Sequence, residues 1–180
     1  MAELDINLHP AQLQIFKSNK RFKIVAAGRR FGKSYLSAWL LLINAIQSES
    51  KDVFYIAPTF QQAKDIMWAM LKELGKDLII QAYENTAVLT LINGRKIYLK
   101  GSDRPETLRG VGLSYVVLDE YASMKPIVWE QIIRPTLADV KDSKCIFITT
   151  PEGFNWVYDL FLLGKTDDLW ESHQAPSLES

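Results

Sequence analysis

The most constraining feature of this sequence is a short glycine-containing loop between an apolar run and a helical pattern. Residues 27–34 read Ala-Gly-Arg-Arg-Phe-Gly-Lys-Ser and follow directly on the run Lys23–Ala27. Against the phosphate-loop pattern Gly-x-x-x-x-Gly-Lys-Ser/Thr, the first glycine is displaced by one place, to Gly28. We expect the tight turn at Ala27-Gly28. Backbone N–H groups of residues 29–34, with a helix N-terminus behind them, would favour a bound phosphate.

The side chains of this loop suit nucleotide chemistry. Lys33 would reach the β- and γ-phosphates, and the Ser34 hydroxyl would ligate Mg²⁺. Arg29 and Arg30 would lie near the γ-phosphate, where one guanidinium could stabilise charge in the transition state. The alternative is an ordinary turn before a helix, with an exposed lysine.

An acidic pair later in the chain supplies the second half of such a site. The run Tyr115–Leu118 is typical of a buried strand, and Asp119 and Glu120 follow it at once. Ligands bind at the carboxyl ends of strands in open α/β sheets. Asp119 would therefore hold Mg²⁺, and Glu120 would orient or deprotonate the attacking water. A helix N-cap is the alternative for this pair, but it does not explain the strand in front.

Two hydroxyl side chains end a later apolar run. Thr149 and Thr150 follow Ile146–Ile148 and precede Pro151. They could sense the γ-phosphate, or they could simply be the end of a strand that proline stops.

Apolar runs alternate with helical patterns along the chain, which predicts an α/β fold with a mainly parallel sheet flanked by helices. The predicted strands are Lys23–Ala27, Asp52–Ala57, Ser114–Leu118 and Lys144–Thr149. Helices are predicted after His9-Pro10 and over about Lys33–Gln47, Gln61–Leu74, Ile127–Leu137 and Asn155–Leu163, with Pro135 distorting the fourth. Asn93-Gly94, between Ala87–Ile92 and Arg95–Lys100, predicts a β-hairpin with a type I′ turn, inserted at the sheet edge.

Composition limits the class of protein. The 180 residues suit one compact domain, and 21 Lys+Arg balance 21 Asp+Glu, so no overall basic charge points to nucleic acid. The single cysteine, Cys145, excludes an internal disulfide. The longest apolar stretch, Trp39–Ile43, is too short to cross a bilayer, and Glu3 and Asp5 do not suit a signal peptide.

The motifs in combination closely resemble the ATPase domain of large terminase subunits, the motors that package DNA into tailed bacteriophage and herpesvirus capsids. The segments that carry the resemblance are Gly28–Ser34, Val116–Glu120 and Thr149–Gly153, supported by His9–Gln12, Ile56–Thr59, Gln61–Lys64 and Leu108–Gly110. It extends from about residue 9 to residue 170.

This resemblance implies a P-loop NTPase fold of the RecA-like (ASCE) type that hydrolyses Mg-ATP to translocate double-stranded DNA into a procapsid. It implies that Gln12 contacts adenine, that Arg29 acts on the phosphates in cis, and that Thr149 and Thr150 couple hydrolysis to DNA movement. Arg109 is the candidate arginine offered in trans to a neighbouring copy, with Arg104 as the fallback. The expected nucleotide-binding residues are Gln12, Gly28, Arg29, Arg30, Phe31, Gly32, Lys33, Ser34, Asp119, Thr149 and Thr150; Ser34 and Asp119 are the expected metal ligands, and Lys33, Glu120, Arg29 and Arg109 are the expected catalytic residues.

The resemblance also implies partners and a location. These are double-stranded DNA, the portal protein of the procapsid, the small terminase subunit and further copies in a ring, all in the host cytoplasm without a membrane. Family members typically continue into an RNase H-like nuclease domain. Because this chain ends at Ser180, we expect a single ATPase domain over 1–180 without nuclease activity, and Trp170 is a candidate contact for the nuclease domain.

Two other functions remain open on the sequence. A RecA-like domain of a superfamily-two helicase shares the loop, the Pro-Thr motif and the acidic pair. Such helicases usually have Ala and then His or Asp after the acidic strand, whereas this chain has Tyr121-Ala122. A nucleotide-binding assembly module that hydrolyses little by itself is the second alternative.

Overall fold

One eight-stranded sheet organises the described part of the chain, residues 4–151 and 157–175 of a computed structural model. The strands are β1 Phe22–Ala27, β2 Asp52–Ala57, β3 Ile79–Tyr83, β4 Val88–Leu91, β5 Lys96–Gly101, β6 Leu113–Leu118, β7 Lys144–Thr149 and β8 Trp170–Ala175. The helices are α1 Pro10–Lys17, α2 Lys33–Gln47, α3 Phe60–Leu74, α4 Arg134–Ala138 and α5 Val157–Thr166. The strand order is β3-β4-β5-β2-β6-β7-β1-β8.

Six neighbouring strands of this sheet, from β5 to β8, run parallel. Their carboxyl ends therefore lie along one edge, which is where the sequence places its phosphate loop and acidic pair. Only β7 separates β1 from β6. At the usual spacing between strands, the ends of β1 and β6 lie ~10 Å apart.

Alternating side chains divide the core into two layers. In β1, Val25 and Ala27 join the cluster formed with α1, α2 and α3, while Ile24 and Ala26 join the cluster formed with α4 and α5. A parallel sheet with both faces covered needs strands that are apolar on both sides, and β1, β2 and β6 meet that need. The predicted α/β fold with helices on both faces is confirmed.

The predicted hairpin exists, but its turn differs from the prediction. Gly94 has φ 84°, whereas Asn93 keeps a negative φ, and the Gly94 N–H donates to the Leu91 carbonyl at 2.8 Å. A type I′ turn needs positive φ at both central residues, so that prediction was wrong. The reason is tertiary: Asn93 Nδ2 donates to the carbonyls of Ala45 and Ile46 at the end of α2, each at 3.0 Å.

The hairpin is also more than an insertion. Its second strand, β5, pairs in parallel with β2, and a further strand that the sequence did not reveal, β3, forms the outer edge. At the opposite edge lies a second strand missed from the sequence, β8, which pairs in parallel with β1.

The predicted distortion by Pro135 is confirmed. Residues Val128–Ile133 form a π-helical segment, and a regular α-helix resumes only with α4. Proline has no N–H to donate to the preceding turn and its ring crowds the carbonyl four residues earlier, so the regular helical hydrogen-bond pattern cannot pass through Pro135. The predicted start of the last helix, at Asn155, lies outside the described residues, as do Glu152 and Gly153.

Trp170 belongs to the core of this domain. Its ring lies 4.8 Å from Phe22 and 5.6 Å from Phe147, measured between centroids. The side chain is buried among these neighbours. The suggestion that Trp170 serves as a contact for a following domain was therefore wrong, because β8 folds back beside β1.

Candidate nucleotide-binding site

The phosphate loop joins the end of β1 to the first turn of α2. Gly28 is extended, with φ −69° and ψ 170°, residues Arg29–Phe31 form a 3₁₀ turn, and Gly32 is left-handed with φ 84°. The predicted tight turn at Ala27-Gly28 was therefore wrong: Ala27 completes β1, and the chain reverses at the 3₁₀ turn and Gly32. The Phe31 N–H donates to the Gly28 carbonyl at 3.1 Å, so it closes the loop instead of facing a ligand.

Helix α2 starts at Lys33, directly behind Gly32. The first backbone N–H groups of a helix have no partner within it, and the helix dipole adds partial positive charge at this end. The Lys33 ammonium donates to the Ala27 carbonyl at 2.6 Å. Ser34, partly buried, follows in the same turn. The loop therefore presents donors and positive charge at the sheet edge, as an anion site requires.

Helix α1 braces this loop. Gln12 is only 4% exposed, and its Nε2 donates to the carbonyls of Phe31 at 3.2 Å and Gly32 at 3.0 Å. His9 Nε2 donates to the same Phe31 carbonyl at 2.8 Å. His9 Nδ1 accepts from the Gln12 N–H, which leaves Nε2 as the ring nitrogen that donates. The adenine contact of Gln12 stays a prediction, while its amide already holds the loop.

Phe31 contributes its backbone and not its ring to this edge. The ring is buried and meets the His9 ring edge-on, with centroids 5.0 Å apart. Arg29 and Arg30 on the same 3₁₀ turn are exposed. Their position is compatible with a role at the γ-phosphate, which stays a prediction.

Asp119 lies at the end of β6 in a well-defined hydrogen-bonding environment. Its side chain is 6% exposed. One carboxylate oxygen, Oδ2, accepts from the Tyr55 hydroxyl, and Oδ1 accepts from the Glu120 N–H at 2.8 Å. Burial raises the pKa of Asp119, whereas the Tyr55 hydrogen bond and the nearby Lys33 ammonium oppose that rise. The opposing influence of Lys33 shows that the loop lysine and this carboxylate share one electrostatic environment.

Glu120 differs from its neighbour in exposure and in backbone conformation. It is exposed and has the left-handed backbone φ 54°, ψ 41°, which is unusual for a residue other than glycine. Such strain is found at functional sites, where the surrounding structure imposes it. The turn leaves the Asp119 carboxylate inside and Glu120 at the surface of the same edge.

The two threonines lie between these parts of the site. β7 separates β1 from β6, and Thr149 pairs with Ala26 in the sheet register. Thr149 is buried, and its hydroxyl donates to the Thr150 carbonyl at 3.2 Å. Their location between the phosphate loop and the acidic pair suits a sensor of bound phosphate, and that role stays a prediction.

Arg109 is not brought to the site of its own chain. It is exposed and follows a 3₁₀ turn over Pro105–Leu108, in the segment that crosses from the end of β5 to the start of β6. Its neighbour Gly110 lines a surface depression with Lys51, which precedes β2 and marks the opposite edge of the sheet. Arg104, by contrast, lines a cavity with Thr59 near the carboxyl edge.

The donor set fits Mg²⁺ held together with a nucleotide. Within residues 4–151 and 157–175, no group of three or more His, Cys, Asp or Glu could hold a metal ion without help. Mg²⁺ commonly uses one or two protein oxygens and completes its shell with water and substrate phosphates. The Asp119 carboxylate and the Ser34 hydroxyl are hard oxygen donors of this kind.

A family comparison agrees with this geometry. The family model described as "Terminase large subunit, T4likevirus-type, N-terminal" matches residues 24–172. The chain belongs to the large terminase family. The match includes the phosphate loop, the acidic strand and both threonines, and α1 with Gln12 lies in front of it.

Curated relatives extend the match across most of the chain. The large terminase subunit of Thermus phage G20c is 29% identical over 183 aligned positions, covering 91% of this chain and 38% of that protein. The large terminase subunit of Escherichia phage T5 is also 29% identical, covering 83% of this chain and 34% of the relative. This chain thus spans little more than a third of the length of these relatives.

Solved terminase structures share the fold. The ATPase domain of the Thermus phage P74-26 large terminase superimposes with a TM-score of 0.81 at 25% identity, covering 94% of this chain and 81% of that one. The large terminase of another thermophilic bacteriophage, solved in complex with ADP, gives 0.76 at 16% identity, covering 92% and 44%. At that lower identity the likeness concerns the fold alone.

Sequence reasoning missed two contributors to this edge. Tyr55 lies inside a strand and looks like an ordinary core residue, and only the register between β2 and β6 reveals its hydroxyl beside Asp119. His9 precedes a helix and shows no metal-ligand spacing, although His-Pro-Ala-Gln has the spacing of an N-terminal capping box.

Across the described parts of the chain, none of the helices combines the length and hydropathy that a membrane span requires.

Proposed function

We propose that this domain binds and hydrolyses Mg-ATP and that hydrolysis drives the translocation of double-stranded DNA into a procapsid. The supporting observation is that the phosphate loop, with Lys33, and the pair Asp119-Glu120 lie at the same edge of the sheet. A single strand, β7, separates the two strands that carry them. Membership of the large terminase family supports the choice of DNA packaging over other uses of ATP.

Each group has a task in this proposal. Lys33 and the first N–H groups of α2 bind the phosphates, while Ser34 and Asp119 hold the metal ion. Mg²⁺, when bound, neutralises charge on the β- and γ-phosphate oxygens. Gln12 keeps the loop in shape by holding two of its carbonyls.

Glu120 is the proposed partner of the attacking water. A group for this task must accept a hydrogen bond from water and stand at the open side of the site. Glu120 is exposed at the carboxyl edge, whereas the Asp119 carboxylate is buried and its two oxygens already accept protein hydrogen bonds. Arg29 would stabilise the developing charge on the phosphates from within the same chain.

Arg109 is the proposed trans arginine. Because it lies in the segment leading to the opposite edge of the sheet, it is better placed to reach a neighbouring copy than its own phosphate loop. This arrangement requires several copies in a ring, which we propose assembles on the portal protein together with the small terminase subunit. The work would take place in the host cytoplasm, where procapsids are filled.

The hydrolysis part of the proposal is tested by Lys33→Ala, with Lys17→Ala on exposed α1 surface as the matched control. Turnover of Mg-ATP should fall about 100-fold or more in Lys33→Ala, since a preorganised charge is lost from the transition state, and stay unchanged in Lys17→Ala. Equal turnover in the two variants would contradict the site. The packaging part is tested in the whole large terminase, where Glu120→Gln should abolish protection of DNA inside procapsids.

A further inference from the structure

The buried hydroxyl of Tyr55 donates a hydrogen bond to the acidic pair. Tyr55 on β2 is opposite Val117 on β6 in the sheet register, and Asp119 lies two residues further along. Residues two apart in a strand share a face, so the Tyr55 ring and the Asp119 carboxylate lie on the side covered by α2. The hydroxyl donates to Asp119 Oδ2 from a side chain that is 0% exposed.

Strand β2 fixes Asp119 at two levels. The Asp119 N–H donates to the carbonyl of Ile56 at 2.8 Å, which holds the backbone. Tyr55, the preceding residue, holds Oδ2, while the Glu120 N–H holds Oδ1. With a donor on each oxygen, rotation of the carboxylate would break a hydrogen bond at a side chain that is only 6% exposed.

We propose that Tyr55 is a positioning residue that keeps the Asp119 carboxylate oriented for a Mg²⁺–nucleotide complex. The proposal rests on the proposed function, because it takes Asp119 as a metal ligand. Partners that orient metal ligands commonly change metal affinity by one to two orders of magnitude when they are lost. Because the hydroxyl acts on Asp119 and not on the phosphate loop, the effect should be confined to the metal-dependent part of nucleotide affinity.

The test is the affinity for mant-ADP, a fluorescent analogue of ADP, measured with Mg²⁺ and again in EDTA. In Tyr55→Phe the Kd with Mg²⁺ should rise about 10-fold, while the Kd in EDTA stays at the wild-type value. The matched control is Tyr98→Phe, which removes a hydroxyl from the neighbouring strand β5 on the opposite face of the sheet. It should leave both constants unchanged.

A purely structural role for Tyr55 would give a different pattern. Thermal unfolding would then register the lost hydrogen bond, but the ratio of the two Kd values would match wild type, and the proposal would be overturned. The variant Asp119→Asn provides a second check, which remains valid if the variants lose some stability. In the Asp119→Asn background, Tyr55→Phe should no longer change the ratio of the Kd in EDTA to the Kd with Mg²⁺. If Tyr55→Phe still lowered this ratio there, Tyr55 would be acting through another group and the proposal would fail.

Failure of the proposed function would look different again. Wild-type protein would then show no strengthening of mant-ADP binding by Mg²⁺.

The metal affinity can also be measured directly and without any turnover, by titrating Mn²⁺ in the presence of ADP and monitoring it by electron paramagnetic resonance. Tyr55→Phe should lower the affinity for Mn²⁺ by about 10-fold.

Discussion

Gln12 and Gly32 are in direct contact across the phosphate loop. The Gln12 amide nitrogen donates to the Gly32 carbonyl at 3.0 Å, and a Cβ built on Gly32 would lie only 2.4 Å from that nitrogen. The glycine is therefore required twice, by its positive φ and by the close approach of a side chain that is itself pinned by two hydrogen bonds. A helix outside the loop thus sets the shape of the loop.

We expect Gly32→Ala to weaken nucleotide binding. Gly94→Ala is the matched control, because Gly94 has the same φ of 84° but no atom within 4 Å of its built Cβ. Both variants should lose about 1 kcal/mol of unfolding free energy from backbone strain. Only Gly32→Ala should weaken mant-ADP binding, since only there must Gln12 move. Equal binding by the two variants would contradict the role given to this contact.

The Gln12 amide gives a prediction about base selectivity. Because Nε2 donates to two loop carbonyls and Oε1 accepts from the His9 N–H, Gln12→Ala should weaken ATP and GTP binding by the same factor. Gln14→Ala, on the exposed side of the same helix, is the control. Competition against mant-ADP measures both nucleotides. A loss restricted to ATP would instead support the adenine contact implied by the family resemblance.

Lys23 predicts a pH dependence of stability. Its ammonium donates to the Ile15 carbonyl at the end of α1, at 2.7 Å. Burial, assisted by Lys144 on β7, lowers the pKa of Lys23 from 10.5 to about 8, while Glu171 on β8 opposes the shift. His173, also on β8, contacts Glu171. Burial lowers the pKa of His173, with Lys23 contributing and Glu171 opposing, so its imidazole is uncharged in the alkaline range in which Lys23 titrates.

The sign follows from proton binding. Below pH 8 Lys23 is protonated in both the folded and unfolded states, whereas between about 8 and 10.5 the unfolded chain binds the extra proton. The free energy of unfolding of wild type relative to Lys23→Met should therefore rise with pH over this window, by on the order of 1–3 kcal/mol. Urea unfolding at several pH values measures it. Lys17→Met should show no such change relative to wild type, and a flat or falling difference for Lys23→Met would refute the assignment.

Arg109 can be tested by mixing two inactive proteins. Arg109→Ala keeps an intact phosphate loop and acidic pair, while Glu120→Gln keeps the arginine. If Arg109 acts in trans, each variant alone should hydrolyse little, and the mixture should regain activity because one copy completes the site of the other. Arg29→Ala mixed with Glu120→Gln should stay inactive, since Arg29 is proposed to act in its own chain. An active Arg109→Ala, or an inactive mixture, would contradict the assignment.

The parts of the fold that could be predicted carry their signal locally. β1 and β6 are apolar on both faces and end in the phosphate loop and Asp119-Glu120, so a single stretch of sequence reveals each. β8 reads Trp-Glu-Ser-His-Gln-Ala and is an edge strand, so it lacks the apolar pattern that identifies a buried one. The role of Tyr55 depends on a register between two strands more than 60 positions apart in sequence, which no local pattern encodes.

The hairpin shows the converse case, in which a local signal is overridden. Asn93-Gly94 is a strong signal for a type I′ turn. In the folded domain the Asn93 side chain instead binds carbonyls at the end of α2, and only Gly94 adopts positive φ. A tertiary hydrogen bond to a helix end decided the turn.

The most direct test of the account is Mg-ATP turnover as a function of protein concentration, for wild type and for Glu120→Gln. We predict measurable wild-type turnover that rises more than proportionally with concentration, because a neighbouring copy supplies Arg109, and that disappears in Glu120→Gln. Turnover that survives Glu120→Gln would contradict the assignment of the catalytic residue. Wild-type protein that binds ATP yet does not hydrolyse it at any concentration would contradict the motor itself and identify a nucleotide-binding assembly module.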